Sequence, residues 1–154
     1  MAWACNICGI ADESLRYRSG KIKHCKDCNV YRNLIVNAGR ERKHVRQPTL
    51  TFSAEQYREW ARTRARECFY CGVRDEDIVR TQVRTQRGER LETLGIDRVD
   101  NDRDYELTNI AFCCFACNKV KGNVFTSAEM QVIGRAVAQV WALRFGAEMP
   151  AAAT

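Results

Sequence analysis

Eight of the nine cysteines stand in four C-x-x-C pairs: Cys5/Cys8, Cys25/Cys28, Cys68/Cys71 and Cys114/Cys117. Two thiolates three residues apart can reach one tetrahedral ion, and two such pairs complete its shell. A disulfide framework would not require all eight cysteines to pair this way. The N-terminus, Met1-Ala2-Trp3-Ala4-Cys5, shows no basic start followed by an apolar stretch, so a reducing compartment is expected. Zinc is the commonest ion for four thiolates. The spacing therefore predicts two structural zinc sites, one from Cys5, Cys8, Cys25 and Cys28 and one from Cys68, Cys71, Cys114 and Cys117. Cys113 is left over and is expected to be a small buried hydrophobe.

The chain has 154 residues, room for one domain and a small appendage. No run approaches the roughly 20 apolar residues of a membrane span, so no membrane partner is expected. The net charge of +6 is uneven. Residues 1–52 hold ten Lys/Arg against four Asp/Glu, and residues 53–154 hold fifteen of each. The excess therefore sits in the N-terminal third. Such a surface is an electrostatic footprint for nucleic acid, and equally a face that keeps a protein in solution.

Four segments follow from the patterning: a four-cysteine zinc module over 1–39, a basic linker over 40–52, a larger zinc-bearing domain over 53–149 and a tail over 150–154. In the first, Ser19-Gly20 is a turn signal and Val30–Ala38 a short helix ended by Gly39. So small a module cannot bury a core, and the ion must replace one. Pro48 argues against helix just before it. Ser53 with Gln56 makes a capping box for a helix over 54–67, whose Tyr57, Trp60, Ala61 and Arg64 share a face.

Residues 78–85 and 90–99 alternate loosely about Arg87-Gly88 and predict a hairpin. A polar loop over 100–109, a short strand over 109–112 and a helix over 115–121 follow. Thr126 with Glu129 predicts the start of a last helix. Its stripe of Met130, Ile133, Val137, Val140 and Trp141 should pack on the domain.

Between and beyond the last two cysteine pairs lie Gly95-Ile96-Asp97-Arg98, then Asn109, then Cys114-x-x-Cys117-Asn118-x-x-Lys121. In this order, with Cys68-x-x-Cys71 before them, these residues resemble the HNH endonucleases, the ββα-metal nucleases. The likeness runs from Cys68 to about Asn123. The Cys5–Cys28 module also looks like zinc modules that precede such domains in phage and mobile-element nucleases. The resemblance implies an α+β fold: a small zinc-stabilised ββα-metal domain with flanking helices and an N-terminal zinc-binding module. It implies a separate catalytic Mg²⁺ or Mn²⁺, with Asp97 and Asn118 as its ligands. Asn109 would hold the loop or orient the base. A hard dication takes oxygen ligands, keeps waters, and stabilises charge developing on a phosphate.

One position departs from the family. Histidine normally follows the aspartate as general base, and here Arg98 stands there. Arginine stays protonated and accepts no proton. Asp100 or a neighbouring carboxylate could serve as base, as could His44 from the linker. Alternatively the metal-bound water attacks while Arg98 stabilises the phosphorane, or the site is inactive and Arg98 holds a phosphate. Arg103, Lys119 and Lys121 are placed to meet backbone phosphates, or simply to be solvated.

The resemblance implies an enzyme hydrolysing DNA phosphodiester bonds, with homing, restriction-like and phage-competition roles all open. It would work in the cytoplasm of a bacterial or phage-infected cell, and as a homodimer if it cuts both strands. The alternatives are an inactive nucleic-acid-binding zinc protein on an HNH scaffold and a zinc-stapled protein–protein adaptor.

Overall fold

Both second cysteine pairs begin helices. In the computed structural model, which describes residues 3–18, 23–39 and 47–146, Cys25 caps α1 (Lys26–Ala38) and Cys114 caps α3 (Phe115–Lys121). In each case the capping sulfur accepts the amide of the cysteine three residues on, Cys28 or Cys117, at 3.4 Å. α1 therefore starts at Lys26 rather than at the expected Val30, because the thiolate supplies the cap that Ser or Asp supplies elsewhere. α2 (Ala54–Arg62) and α4 (Ser127–Phe145) start on the two expected capping boxes. α2 stops five residues short of the expected end. α4 ends on Gly146 in the left-handed conformation, φ 74°.

The chain forms two compact units. One comprises residues 1–66 and 96–111, the other residues 67–95 and 112–154. β1 (Gly95–Arg98) and β2 (Ile110–Cys113) are hydrogen-bonded neighbours in a two-stranded sheet. Together with α3 they give the strand, loop, strand, helix order expected of the sequence.

In the first unit the Cys5 cluster is buried with Leu15, and Trp3 and Ile10 pack against it. α1 and α2 meet through aromatic rings. Tyr57 lies 5.9 Å from both Tyr31 and Trp60, centroid to centroid, and Phe52 is 6.2 Å from Tyr57. The Tyr31 hydroxyl donates to the Phe52 carbonyl at 2.9 Å. The first turn of α1 carries the buried Asp27, 3% exposed, which is ion-paired to Arg66. Arg64, expected on the packed face of α2, is exposed and lies over the Trp60 ring instead.

In the second unit α4 rests directly on the Cys68–Cys71 turn. A Cβ on Gly134 would stand 2.2 Å from the Tyr70 carbonyl oxygen. Met130, Gly134 and Trp141 are the buried residues of α4. Val140, expected in this stripe, is 44% exposed.

The hairpin expected over 78–85 and 90–99 is corrected. Asp75–Thr81 is a 3₁₀ helix, with three acidic residues in its first turn and Arg80 in its last. Asp77 pairs with Arg74 and Arg80, both three residues away, a spacing that helical backbone brings together and extended backbone does not. Strand pairing here reduces to one bridge between Arg84 and Arg90. Residues 91–94 are not strand, and Asp75 takes the Leu94 amide that pairing would use. Its Oδ1 accepts from the Leu94 amide at 2.8 Å and the Thr93 hydroxyl at 2.7 Å. The second strand is shifted by one residue to Ile110–Cys113, since Asn109 belongs to the loop before it. The Ser19-Gly20 turn, most of the 40–52 linker including His44, and the 150–154 tail lie outside the described residues.

Candidate functional site

The two cysteine clusters share one construction. Cys5-Asn6-Ile7-Cys8-Gly9-Ile10 and Cys68-Phe69-Tyr70-Cys71-Gly72-Val73 form the same turn. The first cysteine's amide donates to the residue after the glycine, and the glycine amide donates back to the first cysteine, all at 2.8 Å. The glycine after each second cysteine has positive φ, 73° at Gly9 and 70° at Gly72, which a side chain would resist. The other two ligands of each cluster sit on the first turn of α1 or α3.

Within each cluster the four sulfurs lie within 4.8 Å of one another. The Cys8–Cys25 and Cys71–Cys114 sulfur separations are each 3.7 Å. Four sulfurs about 2.3 Å from a central zinc define a tetrahedron with edges of about 3.8 Å. The donor sets therefore fit zinc in type, number and spacing.

The proton balance points the same way. Burial alone would raise the Cys5 thiol, but amide hydrogen bonds at Cys8, Cys25 and Ile7 outweigh it and bring it down to about 6. Burial pushes Cys25 up to about 12. In the second cluster, hydrogen bonds from the Cys113, Cys114, Cys117 and Cys71 thiols hold Cys68 far below the usual thiol range. Cys117 is driven far above it by Cys114, Cys68 and Cys71. Crowded thiols divide in this way because one thiolate stabilises itself at its neighbours' expense. A dication removes the conflict and lets all four ionise. Cys113 is fully buried, as expected. Its thiol donates to the Cys114 carbonyl at 3.4 Å.

Asp97 and Arg98 lie on β1, and Asn109 closes the loop that follows. Asp97 is 6% exposed. Asn109, 1% exposed, has its amide wholly engaged within the loop. Its Nδ2 donates to the Asp100 and Asp104 carbonyls, both at 3.0 Å, and its Oδ1 accepts from the Asp100 amide at 2.9 Å. Arg98 reaches across the same loop. Its Nη1 donates to the Asn101 and Arg103 carbonyls at 2.7 and 2.8 Å, and its guanidinium lies 5.3 Å from the centre of the Tyr105 ring.

The loop is also held from outside by segment 49–51. The Thr49 amide donates to Asp104 Oδ1 at 2.9 Å, and the Thr51 amide donates to the Tyr105 carbonyl at 3.1 Å. Asp100 uses one carboxylate oxygen to cap the Asp102 amide at 2.9 Å. Arg103 is exposed and turned onto Glu106 at 2.6 Å.

Asn118, Lys119 and Lys121 lie on α3 in the second unit. Asn118 is half-buried, and Lys119 is exposed with its ammonium over the Phe115 ring. Lys121 is 0% exposed, its Nζ 6.0 Å from the centre of the Tyr70 ring, so it does not offer its charge to the surface as expected. Its position has a sequence signal. Lys121 follows the buried ligand Cys117 by four residues and so shares its helix face.

The chain is similar to a solved structure of the rare-cutting HNH restriction endonuclease PacI. The two are 31% identical and superpose with a TM-score of 0.81 over 92% of this chain and 97% of that one. This chain belongs to the HNH endonuclease family. No family model and no curated protein matches it.

The zinc-knuckled α+β architecture is that of an HNH protein. Sequence reasoning placed Asp97, Arg98 and Asn109 on one strand and loop. Asn109 is expected to hold the loop or orient the base, and its amide does bind within that loop. The sequence gives no sign that Arg98 meets the carbonyls of the same loop, because backbone acceptors leave no mark in it. Sequence reasoning also missed Tyr105 and the Thr49–Thr51 segment. Among the described residues no helix is long and apolar enough to cross a membrane.

Proposed function

We propose that this HNH protein is a divalent-metal-dependent endonuclease that hydrolyses DNA phosphodiester bonds. The observation that carries the reading is the 31% identity to a restriction endonuclease across 92% of the chain. Among the roles open from the sequence, that likeness favours restriction-like cleavage, by a homodimer where both strands are cut.

Asp97 and Asn118 would hold the catalytic Mg²⁺ or Mn²⁺. A buried carboxylate and a neutral amide are hard oxygen donors that leave room for water and a phosphate oxygen. When bound, such an ion neutralises charge developing on the phosphate and supplies an acidified water. The chain's own residues have other tasks. Asn109 fixes the loop that follows Asp97. Arg98 ties the same loop through one nitrogen, and its charge favours an anionic phosphate nearby. It cannot take a proton, so a carboxylate such as Asp100 would serve as base, or the ion would supply an acidified water as nucleophile with Arg98 stabilising the charge on the phosphorane. The zinc ions fold the knuckles and leave the chemistry to the third ion.

Arg98 also motivates one competing reading, a DNA-binding protein on a scaffold that has lost cleavage. Supercoiled plasmid incubated with the zinc-loaded chain separates the two. Nicked or linear product with Mg²⁺ or Mn²⁺, and none without, is the expected result. Salt-sensitive binding with no product under any divalent ion would establish the competing reading.

A further inference from the structure

The second unit carries a basic feature that none of the roles above uses. Residues 53–154 are neutral overall, yet Arg84–Arg90 holds three arginines against the single Glu89. This stretch is a short ribbon. Arg84 and Arg90 form an antiparallel bridge, and the Thr85 amide donates to the Glu89 carbonyl at 3.0 Å. Gly88, φ 79°, turns the tip, and its amide donates to the Thr85 carbonyl at 2.9 Å. The Thr85 hydroxyl accepts the Arg87 and Glu89 amides at 3.3 and 3.2 Å. The tip is therefore preorganised by its own backbone.

Its side chains point to a ligand. Arg84 is tied to the Gly88 carbonyl at 2.9 Å, and Glu89 is turned back to Thr85 at 3.4 Å. The side chains of Gln86, Arg87 and Arg90 are exposed, with no hydrogen-bond or ion-pair partner among the described residues. Elsewhere in this unit Arg74 and Arg80 are exposed but paired with Asp77. Unpaired arginines and a glutamine on a hydrogen-bonded turn closed by the single Arg84–Arg90 bridge match one partner by shape and chemistry. The major groove of duplex DNA admits a β-ribbon, and arginine and glutamine are the side chains that make paired hydrogen bonds to guanine and adenine edges there.

We propose that the Arg84–Arg90 ribbon enters the major groove and that Gln86, Arg87 and Arg90 read base edges, so that this loop sets where the enzyme cuts. The inference rests on the DNA-cleaving reading above. It assigns phosphate affinity to the basic N-terminal third and sequence selection to the ribbon.

The test uses the full zinc-loaded chain and the variants Gln86→Ala, Arg87→Ala, Arg87→Lys and Arg90→Ala. Ends of cleaved genomic DNA are sequenced, and binding to a preferred and a scrambled duplex is followed by anisotropy at several salt concentrations. All three side chains are exposed, so melting temperature and zinc content should stay at wild-type values. The expected result is relaxed base preference at one or two positions, with tenfold or greater loss on the preferred duplex and little change on the scrambled one, on the order of a lost bidentate contact. Arg87→Lys should relax selection as Arg87→Ala does, since an ammonium lacks the fork. Equal loss on both duplexes with a shallower salt slope would overturn base reading and make these phosphate contacts. Unchanged cut sites and affinities would overturn any role for the ribbon. A wild-type chain that binds and cuts no duplex would instead remove the function on which the inference rests.

Discussion

Gly134→Ala separates two effects of opposite sign. In the interior of an exposed helix, alanine is favoured over glycine by about 1 kcal/mol. Gly134 lies within α4, but its missing Cβ faces the knuckle, where an added carbon would stand 2.2 Å from the Tyr70 carbonyl oxygen, 2.5 Å from its carbon and 2.9 Å from its Cβ. Ordinary carbon contacts begin near about 3.5 Å, so α4 must retreat by about 1 Å or the Tyr70 backbone must yield. That backbone has little freedom. It lies between the zinc ligands Cys68 and Cys71, in a turn closed by two hydrogen bonds of 2.8 Å. Overpacking of this kind costs about 1–3 kcal/mol, and a rigid neighbour places it at the upper end.

After the propensity gain the net loss is about 2 kcal/mol, a fall in melting temperature of about 4–8 °C for a chain of this size. The assay is thermal unfolding followed by circular dichroism at fixed zinc, with Ala136→Gly on the exposed face of the same helix as control. The control should lose about 1 kcal/mol by propensity alone. A Gly134→Ala protein as stable as wild type, or more so, would refute the close packing of α4 on the knuckle.

Three further outcomes follow from the same geometry. Arg66→Met leaves the Asp27 carboxylate buried without its charge partner and should lower unfolding free energy by about 3 kcal/mol in urea titration. Asn109→Ala strands the Asp100 and Asp104 carbonyls, so stability should drop by about 2–3 kcal/mol and amides of residues 99–109 should exchange faster by mass spectrometry. Hydrogen bonds from Arg80, then from Arg74, hold the Asp77 carboxyl below the usual carboxylate range. A depressed folded value means that the stabilisation is full above the ordinary value near 4 and is lost as pH falls through the lower one. Asp77→Asn should therefore flatten the acid limb of the stability–pH curve and leave its shape at pH 6–8 unchanged.

What the sequence revealed was mostly local. The cysteine pairs, the two capping boxes and the limits of α3 depend on residues within four positions of one another, and each was readable. Some failures were local, such as the start of α1 set by the Cys25 cap and the 3₁₀ turn held by Asp77, and others were long-range. Asp75 takes the amide of Leu94, nineteen residues away, where alternation suggested strand. The loop after Asp97 reads as polar, with Asn109 expected to hold it, but nothing in the sequence shows that Arg98 also orders it through backbone carbonyls that any residue would provide. The burial of Lys121 was legible from its spacing to Cys117, but charge alone had placed it at the surface. Gly134 gave no signal, because contact with Tyr70 is a property of packing.

The central claim is that zinc holds the fold while a different ion, carried by Asp97, does the chemistry. Zinc content and plasmid cleavage measured on one preparation of Asp97→Ala test it directly. The account predicts two zinc ions per chain, as in wild type, and cleavage in Mg²⁺ or Mn²⁺ reduced by at least about a thousandfold, as for loss of a group that stabilises the transition state. Cleavage undiminished in the variant with both zinc ions retained would contradict it.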